Sequence, residues 1–397
     1  MGMSNQWSND PRELLRPGAD FDLATFDRRG TPGWEGDKAE AKELMDSRGA
    51  LLYELQERLY AEGRAGGKRS VLIIVQGLDT AGKGGIARHV MGYVDPQGVQ
   101  LRSFGVPTEE ERSHHYLWRI EKALPQPGRI GLFDRSHYED VLVVRVDELV
   151  EQEVWEPRYD EINAWEKELA DSGTIILKFA LMVSHEEQGL RLMERLDRPD
   201  KHWKYSPSDL TTRANWDKYQ QAYQAVFERT DTDHAPWYVL PADRKWYSRL
   251  AATEIITRTL IEMEMTWPRV RWSDDVQRRK LADTMTTASL AESLAATEET
   301  VRSAIEESID VKLEAAALVG RDEETTRELA DAKRQELLAE LEQNIAHKRE
   351  LLAARDDAPS GSEPAEQDSK KSKKSKESGK GGGKGKKKKK KSKKGKK

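Results

Sequence analysis

Cysteine is missing from all 397 residues. That excludes disulfides, thiolate metal sites and thiol catalysis, and it is the usage expected of a cytoplasmic protein. Long apolar runs are also missing, and nothing approaches the roughly 18 consecutive apolar residues of a membrane helix, so no membrane partner is expected. The polar stretch Met1–Pro11 has no apolar segment of the kind a secretory signal carries. Apolar residues are scarce at 37% while charged residues reach 35%. The balance predicts an ordinary core in one part of the chain and solvated sequence elsewhere.

The net charge of −5 conceals two opposite halves. Ser369 to Lys397 holds 17 lysines and one glutamate, a formal +16, so the remainder carries −21. Such a basic segment is expected to attract polyanions, nucleic acid included, without sequence preference. Residues 1–36 are polar and rich in Gly, Pro, Asp and Arg, and predict a loosely ordered arm. From Asp37 to Gly63 the spacing of Leu44, Leu51, Leu55 and Leu59 predicts an amphipathic helix. Val71–Val75 is then a short, wholly apolar run of the kind a buried parallel strand carries, and Val99–Phe104, Ile130–Phe133, Ile175–Met182 and Trp237–Leu240 are further strand candidates, with helical stretches between them. That alternation predicts an α/β fold: a three-layer α/β/α sandwich on a parallel sheet, spanning residues 37–272 with a helical lid near 190–220. Residues 273–355 are rich in Ala, Glu, Leu and Arg, and Leu338, Ile345 and Leu352 recur every seven positions with Leu341 between them. Two readings of that seam stay open: self-association into a homo-oligomer, or helices flanking the core of one subunit. From 356 onward the composition predicts a disordered Lys-rich tail.

Chemistry concentrates in Gly77-Leu-Asp79-Thr-Ala-Gly82-Lys83-Gly84-Gly85, directly after an apolar strand and before a helix start at Ile86-Ala-Arg88. Strand, glycine loop and helix together make a P-loop, in which glycines let backbone N–H groups turn onto phosphate and Lys83 adds a point charge. Gly77, Gly82, Lys83, Gly84, Gly85 and Arg88 are therefore the expected phosphate-binding set. The usual pattern places Ser or Thr after the lysine to hold Mg²⁺, but here the position is Gly84. A carboxylate must replace the hydroxyl, and Asp79 lies within the loop. About fifty residues on, Gly131-Leu-Phe-Asp134 ends a strand on an acid, as a Walker-B segment does, and Arg135-Ser-His-Tyr-Glu139 follows. Asp134 is expected to share the metal with Asp79, and Arg135 to neutralise the phosphoryl group in transfer. Arg191, Arg195, Arg198, Lys201 and Lys204 place five cations within fourteen residues, suited either to a lid over a polyanion or to a solvated, salt-bridged helix.

The segments GLDTAGKGG, FDRSHYEDVLVVRV, RPDKHWKYSPSDL and APWYVLPADRKWYSRL, between Asp37 and Arg271, resemble the polyphosphate kinase 2 family. The resemblance implies a nucleotide-kinase-like fold and Mg²⁺-dependent phosphate transfer between inorganic polyphosphate and nucleotides. It implies metal at Asp79 and Asp134, phosphate on Lys83 and Arg135, Arg195 reaching the reaction centre, and Lys201 and Lys204 along the polyphosphate path. Glu139 occupies a position where members confined to diphosphates carry Asn, which points to AMP and ADP both being acceptors. Residues beyond about 272 fall outside the resemblance. Two other functions share parts of this pattern: an ATP-dependent P-loop kinase of nucleotides or small metabolites, and a polyanion-binding protein acting through its tail. His114 and His115 are expected as helix residues and His137 as positional. Trp203, Trp216 and Trp237 are expected to pack in core or lid.

Overall fold

The computed structural model describes residues 6–356; the Lys-rich tail lies outside them. The sheet has five parallel strands in the order β2-β3-β1-β4-β5. In chain order the main elements are α1 (Lys38–Arg64), β1 (Ser70–Gln76), α2 (Lys83–His89), β2 (Val99–Ser103), β3 (Ile130–Asp134), α3 (Arg158–Asp171) and β4 (Thr174–Met182). They continue with α4 (His185–Asp197), α5 (Ser208–Ala214), α6 (Trp216–Thr230), β5 (Trp237–Pro241) and α7 (Lys245–Glu262), then α8 (Asp274–Ala282), α9 (Thr287–Leu318) and α10 (Glu323–Asp356). All five expected strands are present, and α1 begins one residue after its expected start. Asp37 fixes that start as a capping box: its carboxylate accepts from the amides of Ala39 and Glu40, and Glu40 reaches back to the Asp37 amide.

Central strands read as unbroken apolar runs because helices cover both faces of a parallel sheet. Every residue of β1 is buried. Val71, Ile73 and Val75 point into one core layer with Leu51, Leu52 and Leu59 of α1 and Leu250 and Ile255 of α7. Leu72 and Ile74 point into the other, with Tyr159 and Ile162 of α3 and Tyr223 and Val226 of α6. The period of two along a strand sorts the residues between layers.

Residues 6–37 are largely irregular yet firmly seated, which composition did not convey. Trp7, Leu15, Leu23 and Trp34 are all buried, Trp7 packs on Trp34 and Tyr247, and the Val239 amide of β5 donates to Leu15 O at 2.8 Å. The arm thus extends the β5 edge and covers unpaired backbone there. Helices α9 and α10 form an antiparallel hairpin with Ile305, Leu341 and Ile345 buried inside it, so much of the heptad seam is used within one chain. The hairpin docks through Leu318, part of the α1/α7 core layer, and through the Glu314 carboxylate, which pairs with Arg48. No helix among the described residues is long and apolar enough to cross a membrane.

Candidate active site

Strands β1 and β3 are neighbours in register, with Val75 beside Asp134. The loop leaving β1 and the turn leaving β3 therefore emerge side by side, and two motifs about fifty residues apart meet at the carboxyl-terminal ends of two inner strands. Gly77 and Gly82 have φ of +153° and +118°, and a Cβ on Gly77 would lie 2.8 Å from Leu181 O, so the loop path requires glycine. Thr80 and Arg135 also have positive φ, +67° and +65°. Such backbone is costly outside glycine and survives where surrounding contacts hold it.

The Lys83 ammonium donates to Gly77 O at 2.7 Å and Leu78 O at 3.4 Å. Burial and the Arg135 charge lower its pKa, while Asp134, Asp79 and Glu139 act in the opposite direction. All five charged groups are thus within electrostatic reach of one another. Arg135 donates to Asp79 Oδ1 at 3.2 Å and makes no ion pair with Asp134, its sequence neighbour. The Asp134 carbonyl accepts from the Phe104 amide at 3.0 Å, while its carboxylate accepts no hydrogen bond among the described residues. Burial raises the pKa of Glu139, opposed by Arg135 and Lys83. A Cβ on Gly84 would meet nothing within 4 Å, so packing does not exclude the hydroxyl side chain that P-loops usually carry there.

The donor set fits a hard divalent cation. Among the described residues no group of three or more His, Cys, Asp or Glu is placed to hold a metal. What these strand ends offer is two carboxylates, Asp79 and Asp134, the share Mg²⁺ commonly takes from protein when phosphate oxygens and water complete its shell.

The lid cations separate into distinct environments. Arg191 is buried and faces inward, donating to Thr80 O at 2.9 Å, Ala242 O at 2.7 Å and Asp243 O at 2.9 Å. It ties α4 to the P-loop and is not part of a polyanion-facing surface. Gln188, one turn earlier, donates to Asp79 O at 3.3 Å. Arg195 lies within the lid, bonded to Lys204 O at 2.9 Å and Asp209 Oδ2 at 3.3 Å. Burial, then the neighbouring Asp79, raises the pKa of Asp209, which places Arg195 one carboxylate away from the P-loop. Arg198 is exposed and paired with Glu194 and Asp200. Lys201 pairs with Asp200 at 3.4 Å, and Lys204 lies 4.9 Å over the exposed Trp203 ring.

Arg249 of α7 was not legible from sequence. Its guanidinium packs against Gly85, 3.3 Å from where a Cβ would stand, and it has no ion pair within the described residues. Burial and the charges of Arg191 and Arg88 lower its pKa, so Arg88 and Arg249 form a cationic wall beside the glycine loop. The only local signal was a cation pair, Lys245 and Arg249, one turn apart at a helix start. His114 and His115 occupy a turn between two single-turn helices, where His114 stacks on Trp118 at 4.0 Å, and not a helix as expected. His137 and Trp237 are fully buried, while Trp216 is half-buried against His185.

Comparison with known proteins agrees with this geometry. The family model for polyphosphate kinase 2 matches residues 35–268. The AMP/ADP-polyphosphate phosphotransferase of Meiothermus ruber is 46% identical over 255 residues, covering 64% of this chain and 94% of the relative. The ADP-polyphosphate phosphotransferase of Rhodopseudomonas palustris is 38% identical over 263 residues, covering 63% and 89%. The crystal structure of polyphosphate kinase 2 from Arthrobacter aurescens superposes with a TM-score of 0.69 at 46% identity, covering 71% of this chain and all of that one. With the family model matched over more than half of the chain and a relative 46% identical over most of its own length, the chain belongs to the polyphosphate kinase 2 family.

Proposed function

We propose that the chain moves phosphate between inorganic polyphosphate and adenine nucleotides with Mg²⁺ held by Asp79 and Asp134, and that both AMP and ADP are acceptors. Family membership makes it a phosphotransferase between polyphosphate and nucleotides; the metal, the residue roles and the acceptor range are the proposal. The observation that carries it is the convergence of Lys83, Arg135, Asp79, Asp134 and Glu139 at the ends of adjacent strands. Phosphoryl transfer asks little covalent chemistry of a protein and much positioning and charge stabilisation, which this set supplies. When bound, the metal neutralises phosphate oxygens. Lys83 exchanges its loop carbonyls for phosphate oxygens, and Arg135 stabilises charge on the transferring group. Arg88 and Arg249 line the approach of a polyanion to the glycine loop, and Lys201, Lys204 and Arg195 meet it when the lid closes, which excludes water and favours transfer over hydrolysis.

Acceptor range rests on Glu139. A half-buried carboxylate beside Arg135 and Lys83 can help hold a further cation where a shorter acceptor leaves room. A relative named for both acceptors at 46% identity supports the same reading. The test incubates purified protein and its Glu139→Asn variant with Mg²⁺, polyphosphate and each of AMP, ADP, GMP and GDP, and identifies the products. The wild type is expected to phosphorylate AMP and ADP. The variant is expected to lose kcat/KM for AMP more than for ADP, and an unchanged ratio removes Glu139 from acceptor choice.

A further inference from the structure

Beneath the turn that presents Arg135 and Glu139 lies a charged cluster for which the transfer chemistry has no direct use. Lys178 of β4, Glu166 of α3 and His137 are each fully buried, and so is Tyr138. The Lys178 ammonium spends its three hydrogens on Glu166 Oε2 at 2.6 Å, Tyr138 Oη at 2.8 Å and Thr230 O at 2.8 Å. The Tyr138 hydroxyl donates to Glu166 Oε1 at 3.0 Å, and His137 Nε2 lies 3.2 Å from the same oxygen. A carboxylate only accepts, so Nε2 carries the hydrogen. Trp165 packs edge-on against His137, and Trp237 against Tyr138.

The same turn is pinned from the P-loop side. The Arg135 amide donates to Val75 O at 3.0 Å, and Ser136 Oγ accepts from Gln76 Nε2 at 3.2 Å. The turn therefore sends its two middle residues inward and its flanking residues outward: His137 and Tyr138 enter the core, while Arg135 and Glu139 lie on the side of Asp79 and Lys83. A buried ion pair is a poor device for stability alone, because desolvation consumes most of its attraction and apolar replacements of like volume are often as stable. A fully satisfied buried network does impose one geometry, and here that geometry belongs to the turn carrying two site residues, one of them at positive φ.

We propose that Glu166, Lys178 and Tyr138 are positioning residues for phosphoryl transfer, clamping the 136–138 turn from the core so that Arg135 and Glu139 stand correctly against the P-loop. The inference rests on the site reading given under the proposed function. Misplacement of a catalytic group by about 1 Å can cost on the order of 100-fold in rate, so a loosened clamp appears in kcat.

Two variants test this in the full chain. Tyr138→Phe keeps the ion pair and removes its tie to the turn through Tyr138, leaving the one from His137 Nε2 to Glu166 Oε1; Lys178→Met combined with Glu166→Leu replaces the pair with apolar volume and removes both ties. Both are expected to fold, at an unfolding temperature below wild type because buried donors lose a partner, to lose about ten-fold or more in kcat per folded molecule, and to keep the wild-type KM for polyphosphate. A folded variant of either kind with wild-type kcat overturns the proposal. So does a lowered unfolding temperature with kcat per folded molecule retained, or a loss confined to KM. If the double variant does not fold, Tyr138→Phe decides alone. Lys83→Ala, assayed alongside, separates the two readings. An inactive Lys83→Ala with both clamp variants at full kcat removes only the clamp, whereas an active Lys83→Ala removes the site assignment itself.

Discussion

The Lys83 ammonium rests on Gly77 O at 2.7 Å, and in the proposed reaction it exchanges that carbonyl for phosphate. Polyphosphate or nucleotide phosphate offers that ammonium a full negative charge in place of carbonyl dipoles, and charge-assisted bonds are roughly twice as strong as neutral ones. Lys83→Ala removes this donor, and Asp134→Asn removes a carboxylate that no neighbouring group satisfies. Both are expected to lower kcat by about 100-fold or more, the usual cost of one such electrostatic contact. Thermal unfolding should stay close to wild type, because neither side chain belongs to the buried core. Either variant retaining more than about a tenth of turnover contradicts these roles. The P-loop and the strand-end aspartate were readable because each is a contiguous motif whose meaning is local. Asp79 was readable as a site candidate too, since Gly84 departs from a fixed pattern and leaves no hydroxyl after the lysine. Arg249, Gln188 and the Glu166–Lys178 pair were not, because each acts through partners distant in sequence. The lid arginines show the reverse difficulty: Arg191 and Arg195 lie one turn apart on the same helix face, yet Arg191 stands beside the P-loop and bonds its backbone carbonyls, whereas Arg195 near the helix end bonds within the lid.

At the scale of elements, helix α9 is joined to the kinase body by its last turns. Leu318 is 6% exposed within the α1/α7 core layer, with Val311 and Ala315 packed against that layer, and Arg258 donates to Leu318 O at 2.7 Å. Arg48 divides its guanidinium between Glu254 of α7 and Glu314 of α9, tying three helices together. Leu318→Ala is expected to destabilise the chain by about 2–5 kcal/mol, the cost of a truncated buried leucine plus its cavity. Transfer kinetics should hold, since no side chain assigned to the site lies on this helix. Denaturant unfolding against kcat/KM checks both halves; unaltered stability means that the hairpin is only loosely attached. Four of the five strands are buried and announce themselves as short apolar runs with helices between, while the exposed edge strand β2 was legible only from its alternation of Val99 and Leu101 with polar residues. The hairpin was not: a seven-residue leucine spacing serves an intrachain antiparallel pair as well as an intermolecular coil, and only the four-residue connection between α9 and α10 with Ile305 opposite Leu341 distinguishes them. The N-terminal arm was illegible for another reason. Its anchors, Trp7, Leu15, Leu23 and Trp34, are too widely spaced to show any period.

For the whole molecule the governing quantity is charge distribution. The stretch Ser369 to Lys397, outside the described residues, carries +16 while the rest of the chain carries −21. Polyphosphate bears about one negative charge per phosphate, and a polyanion meeting clustered lysines is bound largely by counterion release, as nucleic acid is by basic proteins. The field of the remaining chain repels that polyanion at long range, and the tail offsets the repulsion where it is attached. Covalent attachment makes capture by the tail a rise in effective concentration at the cleft without any new contact inside it. A polyphosphate long enough to engage the lysines and the cleft together gains from that link, and a very short one gains nothing. Truncation after Pro364 is therefore expected to raise KM for long polyphosphate at low salt, leave kcat unchanged, and leave KM for very short chains nearly unchanged. The difference should shrink as ionic strength brings the Debye length down to about 8 Å at 0.15 M and below. Steady-state kinetics of the two proteins across chain length and salt measures each of these. Equal KM values for long chains at low salt would show that the lysines serve some other polyanion, and a fall in kcat would show that they reach the transfer step itself.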